Sequence, residues 1–502
     1  MEGKQQANGV GTTGVRQAAG REPPSLGWGS GGQDEGRIGK NLLSLHCDFK
    51  TANAVNIELS GHYTYGRIAR SVLPSIAMVL ITSVYSMVDG FFVSRFVGKT
   101  GFAAVNLMWP AIMMLAALGQ MVGSGGAALV AKVKGEGYVG KANRVFTMLV
   151  RFSAVMGASM GLAFGLLAPW VARWLGADGP MMHDCVVYSR ICMVGMPFFA
   201  LQMAFQSFYM AAERPQLGTV MSLVSGVTNI LLDALFVWLL QWGVAGAAWA
   251  TVASQVVGGA FPVIYFSSSR LNRGSLRLLR GSKTLWPYVG KACSNGLSEY
   301  VSNISMSIVS ICYNLQLMHL YGEDGVAAYG ILMYIAFAYA SIFIGYNLAL
   351  TPVVGYHYGA GNVGEQRSLL RKSLVVIGVV GLAMTVLAEA LSAPLARVFV
   401  GYDAALTALT TRAIRVYMLC FLICGWSMFI SALFTGLQNG MVSAVAAFAR
   451  SMVFELGCVW LLPALLGADG IWWAVDVAEV LTLLLCAYLL WRYAPQLVRR
   501  TK

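Results

Sequence analysis

Charge is what this sequence has least of. Of its 502 residues only 11% are Asp, Glu, Lys or Arg, against roughly 25% in an average soluble domain. A water-soluble chain of this length cannot cover its surface with so few charges, which excludes a soluble multidomain reading. Acidic residues are scarcer than basic ones, 22 against 35, leaving a net charge of +13. That excess does not signal nucleic-acid binding, because the basic residues form no stripe with interleaved aromatics. They gather in short connections between apolar runs, which is a topology signal. Histidines number five (His46, His62, His183, His319 and His357), far apart in sequence, and no Ser/His/Asp or Cys/His constellation forms around them. The chain is therefore expected not to be an enzyme. The nine cysteines include no C-x-x-C pair and sit mostly inside apolar runs. They read as small packing residues of membrane helices, not as a disulfide or zinc framework, and no metal site is expected. Nucleotide motifs are missing too. Gly98-Lys99-Thr100 resembles the end of a phosphate loop, but the required earlier glycine is Val93; Gly123–Gly126 resembles a dinucleotide turn but lies within an apolar run.

What the sequence has in quantity is hydrophobic residues, 57% of the chain. They come in runs long enough to cross a hydrocarbon core of about 30 Å as helices. Twelve spans are expected. The first six lie near 68–94, 103–131, 145–168, 186–212, 216–240 and 245–268, and the second six near 290–320, 326–356, 369–396, 411–436, 440–466 and 470–492. Residues 1–65 are polar and glycine-rich and read as a disordered tail; they contain no secretory apolar core, so no cleaved leader is expected. Residues 269–286 form a basic linker between a lobe at 66–268 and a lobe at 287–492, and 493–502 is a basic tail.

Orientation follows from the basic residues. Lys132, Lys134, Lys141, Arg144, Arg214, Arg367, Arg371 and Lys372 fall in connections on one side, joined by Arg270, Arg273, Arg277, Arg280 and Lys283 of the linker. Connections on the other side are nearly bare of them. The positive-inside rule places both termini in the cytoplasm, and an even number of spans independently requires the termini to share a side. The expected location is the plasma (inner) membrane, multi-pass.

The two halves also repeat. Gly98-Lys-Thr-Gly-Phe-Ala-Ala-Val105 matches Gly322-Glu-Asp-Gly-Val-Ala-Ala-Tyr329 at a shift of 224 residues. The same shift carries Gly135-Glu-Gly137 onto Gly359-Ala-Gly361 and Gly246–Ala250 onto Gly470–Ala474. Six spans per half give both halves the same orientation, a parallel repeat about an axis along the membrane normal. The fold class is an all-α polytopic membrane protein, twelve transmembrane helices as two six-helix bundles.

Carboxylates within spans stand out against this background, since each costs at least about 2.5 kcal/mol near a helix centre. Asp89 lies late in the first span, and Asp233 in the middle of the fifth. Asn229 lies four residues before Asp233 and shares its helix face. An amide beside a carboxylate suits a proton-bearing or cation-bound form, so these residues are the foremost coupling-ion candidates, with the bland alternative an interhelical hydrogen bond. Glu299 is a further candidate. Glu389, Glu455, Asp476 and Glu479 read better as structural ion pairs, Glu455 with nearby Arg450.

Taken together, Val88-Asp89-Gly-Phe-Phe-Val93, the Gly98–Val105 turn, Gly135-Glu-Gly137, Glu213-Arg-Pro215, Asn229-Ile-Leu-Leu-Asp233 and Gly246-Ala-Ala-Trp-Ala-Thr251 resemble the multidrug and toxic compound extrusion (MATE) family over about residues 66–492. The likeness is greatest to its bacterial MepA-like and DinF-like branches. The resemblance implies two six-helix lobes exporting organic, often cationic, compounds by antiport with protons or sodium. It implies coupling-ion roles for Asp89, Asn229 and Asp233, with Glu299 and Thr251 as further members. Span ten lacks the carboxylate found in the NorM-like branch, which favours the N-lobe site. The gradient replaces any cofactor. Expected partners are small organic molecules and membrane lipids, not nucleic acid, and one copy is expected to function alone.

Two other functions fit a doubled membrane bundle. A flippase for lipid-linked precursors calls for a cationic cleft, and deep basic residues are few here: Arg151, Arg190, Lys291 and Arg450. A receptor or scaffold without transport leaves the deep carboxylates and the repeat unexplained. The topology can be checked directly. In a cysteine-free variant, Ser275→Cys is predicted to resist an impermeant thiol reagent added outside intact cells and to react after the cells are opened. Labelling from outside would reverse the orientation.

Overall fold

A computed structural model describes residues 58–493 apart from 273, 282–284 and 402. The proposed tail up to residue 57 and the residues beyond 493 lie outside the described residues.

Among the described residues the chain is a succession of helices joined by short turns. In the first half these are α1 (Tyr65–Phe92), α2 (Lys99–Gly135), α3 (Val139–Trp174), α4 (Gly179–Ala211), α5 (Pro215–Asp233) and α6 (Gly243–Ser267). The second half has α7 (Trp286–Asn295), α8 (Leu297–Gly359), α9 (Val363–Val400), α10 (Ala404–Tyr417), α11 (Cys424–Gly436), α12 (Gly440–Phe448), α13 (Leu456–Leu466) and α14 (Ala474–Tyr493). Short π-helical stretches extend α1 (Val93–Val97) and α5 (Ala234–Leu239), and another joins α12 to α13 (Ala449–Glu455).

Eleven of these helical stretches are long and apolar enough to cross a membrane. One of them, α8, has 63 residues, about 95 Å at 1.5 Å per residue, three times the hydrocarbon thickness. It breaks at Gly322, whose φ of 64° and ψ of −148° are not helical, so it supplies two crossings. With α10 and α11 forming one interrupted crossing, the expected twelve are present, six in each half. Sequence signals set the helix starts. The Thr64 and Asn362 side chains accept from the backbone N–H groups of Arg67 and Glu365 at 3.3 and 3.1 Å, and Pro215 stands in the first turn of α5, where no N–H is needed. Large apolar side chains on the outer face of α3, such as Leu162, Leu166 and Trp170, are about 70% exposed, as a lipid-facing surface requires.

The repeat is visible in the backbone. Gly98, Gly137 and Gly243 have φ of 95°, 88° and 60°, and their partners 224 residues on, Gly322, Gly361 and Gly467, have 64°, 66° and 75°. Only glycine takes these angles without strain, so three turns of the first half recur in the second. The halves meet closely near the end that carries the basic connections. A Cβ on Gly135 would meet the carbonyl oxygen of Tyr356, and one on Gly359 would meet that of Lys132. Glycine at both positions lets α2 and the second arm of α8 touch backbone to backbone.

The basic linker and the end of the stretch expected as a tail are both docked. The linker lies against α3: the Arg277 and Leu279 N–H groups donate to Asn143 Oδ1 at 2.9 Å and Thr147 Oγ1 at 3.0 Å, and Leu276 is buried. The tail boundary at residue 65 also needs correcting, because residues 58–64 form a strap across both halves. Leu59 N–H donates to Glu213 Oε1 at 3.0 Å, on the α4–α5 turn. Tyr63 N–H donates to Glu365 Oε1 at 2.8 Å, His62 Nδ1 lies 2.6 Å from Glu365 Oε2, and Lys372 Nζ donates to the Tyr63 carbonyl at 2.6 Å, all on α9. Leu59 and Tyr63 are fully buried, and burial pushes the Tyr63 phenol well above its ordinary range, so it stays neutral. Two isolated apolar side chains in a polar stretch show no periodicity, which is why composition suggested a loose tail.

The strap predicts that Tyr63→Ala destabilises the protein by about 3 kcal/mol through the cavity it leaves, and speeds tryptic cleavage after Arg67. A melting curve and digestion rate equal to wild type would show that the strap carries no stability.

Candidate functional site

The first-half carboxylates are brought together by close helix packing. The Thr219 hydroxyl on α5 donates to the Pro74 carbonyl of α1 at 2.7 Å. One turn before Asn229, Gly226 leaves room for the Tyr85 ring, which a Cβ there would meet at 2.7 Å. Asp89 on α1 and Asp233 on α5 are thereby brought close to one another. Asp233 is fully buried and Asn229, one turn away, nearly so, while Asp89 is half-buried. Around the pair stand Tyr85 from α1 and Tyr188 and Cys192 from α4.

Polar bookkeeping marks this place. Both oxygens of Asp233, and Oδ1 of Asp89, have no hydrogen-bond partner. Two ionised carboxylates offer only acceptors to each other, so the contact is satisfied when one of them carries a proton. Both host helices turn π-helical just beyond it, α5 immediately after Asp233 and α1 four residues after Asp89. Such stretches interrupt the regular i to i−4 ladder and recur at functional sites.

The other residues singled out in the sequence fall in different places. Thr251 is buried on α6, its carbonyl accepting from Ser254 Oγ at 2.8 Å. Gln255, one turn on, keeps Oε1 unpartnered. Glu299 belongs to the other half, in the first turn of α8. It accepts a long hydrogen bond from Gln120 Nε2 of α2 at 3.4 Å, and Asn303 Nδ2 donates to Gln120 Oε1 at 3.3 Å. With Ser124, Ser207, Asn347 and Thr351, the Gln120 and Glu299 side chains line a pocket between the halves. Glu389 lies 3.8 Å from Arg415, an ion pair as expected. Arg450 does not pair with its sequence neighbour Glu455 as expected; it bonds Glu479 of α14 through Nε at 2.6 Å. Gln120, Tyr85 and Tyr188 carried no sequence signal, because each is an ordinary membrane-helix residue until another helix is laid against it.

Comparison with known proteins agrees with this architecture. The family model MatE matches residues 74–235 and again 300–461, so one profile fits both halves. The multidrug export protein MepA of Staphylococcus aureus is 24% identical over 426 residues, 83% of this chain and 92% of that protein; its Staphylococcus saprophyticus counterpart is 24% identical over 420 residues, 82% and 92%. Among solved structures, a MATE protein in the straight conformation superposes with a TM-score of 0.82 at 21% identity, covering 88% of this chain and 98% of that one. A MOP superfamily transporter from Pyrococcus furiosus gives 0.81 at 22%, covering 88% and 99%. With the profile matched once in each six-helix half, the chain belongs to the MatE family.

Proposed function

We propose that this protein exports organic small molecules, cationic ones among them, across the plasma membrane in exchange for protons, and that Asp89 and Asp233 carry the exchanged proton. The observation that carries the reading is the pair itself: the buried Asp233 carboxyl beside the half-buried Asp89, with both oxygens of Asp233 and Oδ1 of Asp89 unpartnered. One proton shared between them removes the like-charge repulsion, and its loss leaves an anionic pocket that attracts a cation. Asn229 offers an amide on the same face to hold either form. Protonation from the outside then weakens cation binding and favours release there. The exchange requires the two orientations of the protein to bind the proton differently. Export of drugs by the MepA relatives supports the substrate class. The basic connections support an orientation with both termini in the cytoplasm, and the two halves of one chain supply both walls of the pocket that holds Gln120 and Glu299, in keeping with a monomer.

The test is export of ethidium, read as its movement into the lumen of everted vesicles holding matched amounts of protein. Asp233→Asn and Asp89→Asn are each predicted to reduce proton-driven efflux to that of vesicles without the protein, with insertion unchanged. Glu389→Gln should leave it near wild type, and a sodium gradient alone should drive none. Wild-type efflux with wild-type pH dependence in Asp233→Asn would remove Asp233 from the mechanism and turn attention to Glu299.

A further inference from the structure

The second half holds a charged cluster, buried at Glu479 and half-buried at Arg450, Glu455 and Asp476, that the export reading does not use. Arg450 and Glu455 lie on the π-helical stretch between α12 and α13, and Asp476 and Glu479 on the first two turns of α14. Arg450 contacts Glu479 Oε1 through both Nε, at 2.6 Å, and Nη2, at 2.5 Å. It is one cation among three carboxylates. Glu479 is 2% exposed, yet its Oε2 has no partner, and neither oxygen of Asp476 has one. Independently, the Tyr313 hydroxyl of α8 is fully buried and unpartnered, in the neighbourhood of Glu455 and Asp476.

The groups facing the cluster are otherwise neutral. Tyr329 of α8 stacks on Tyr313 at 4.9 Å, and Tyr417 of α10 meets Tyr313 edge-on at 6.5 Å. Cys420 and Cys424, beyond α10, approach from the remaining side, while Cys458 and Cys486 lie on the cluster's own helices. No second cation in this set balances the remaining two carboxylates. Unpaired buried carboxylates are costly in the ionised form; among the described residues no group of His, Cys, Asp and Glu is placed to hold a metal ion, and a bound proton is the simplest remedy.

The repeat places this cluster opposite the aspartate site. The second family match begins at 300 and the first at 74, an offset of 226; at that offset Glu455 stands where Asn229 stands in the first half. At the offset of 224 given by the repeated glycine turns, Glu479 stands where buried Gln255 stands. Both π-helical stretches fall on corresponding crossings, α5 and α12–α13.

We propose that Arg450, Glu455, Asp476 and Glu479 form a second proton-binding site, the counterpart in the second half of the Asp89–Asp233 site. The proton adds to a carboxylate of Asp476 or Glu455, giving a neutral acid that donates to its unpartnered neighbour. Arg450 stays paired with Glu479 and fixes the two helices around it. This extends the proton-exchange reading, but the site binds its proton whether or not that reading holds.

The test is infrared difference spectroscopy of the purified full chain in lipid during a pH titration, following the C=O stretch of protonated carboxyl groups. Wild type is expected to show titrating bands from both halves. Asp476→Asn and Glu455→Gln, separately, should each lose or shift the second-half band, and Asp89→Asn with Asp233→Asn should lose the other while keeping this one. Using two single amide variants guards against one that misfolds, as does comparing their elution profiles with wild type. Spectra of both variants identical to wild type would overturn the second site. A first-half variant with unchanged spectra would instead overturn the coupling role of Asp89 and Asp233 and leave the second site standing.

Discussion

Hydrocarbon offers polar groups nothing to bond to, and most of this structure follows from that. Each backbone N–H and C=O must be satisfied within its own segment, so the crossings are helical. Turns are confined to the ends, where Thr64, Asn362 and Asp403 can cap the orphan N–H groups. The same rule makes a buried carboxylate without a partner expensive, and this chain keeps several. Where a polar group in the membrane is left unsatisfied, stability does not explain its presence, and ligand binding is the simplest account of it.

Backbone requirements made the fold legible in the sequence. Apolar runs gave the twelve crossings, and the glycines at positions 98, 137 and 243 recur 224 residues later because the same left-handed turns are needed twice. The crossing built from α10 and α11 was legible as one span, although its middle tightens to a 3-10 stretch at Met418–Leu422. The strap was not legible. Its anchors are Glu213 and Glu365, some 150 and 300 residues away, and no local pattern announces a contact at that distance. Glu213 itself holds a φ of 63°, a position unusual for a non-glycine residue, and there it bridges the Leu59 N–H and Lys134, the latter at 3.0 Å.

The site was half legible for a related reason. Deep carboxylates announce themselves one at a time, so Asp89 and Asp233 were found, but their juxtaposition depends on small residues such as Gly226 that let α5 approach α1. Sequence proximity misled in the other half. Arg450 and Glu455 are five apart, and on a regular helix of 3.6 residues per turn they would sit some 140° apart about the axis. The π-helical stretch changes that geometry locally, and α14 delivers Glu479 to the guanidinium first. Pairing a charge within the membrane therefore has to be read from helix packing, not from spacing along one helix.

The two halves share a backbone plan but divide their charge differently. Among the described residues, the first half places two carboxyl groups together with no cation beside them. The second half builds an arginine into its cluster, so one carboxylate is permanently neutralised and the helices bearing it are held together in either protonation state. A duplicated chain with identical sites would gain or lose both protons under the same conditions, and its halves would respond alike. Placing Asn229 where the other half has Glu455, and Gln255 where it has Glu479, breaks that equivalence with amides in one lobe and acids in the other. The lobes touch backbone to backbone at Gly135 and Gly359, so on the proposed exchange reading each lobe would meet a differently charged partner across that contact, the asymmetry that ordered steps need.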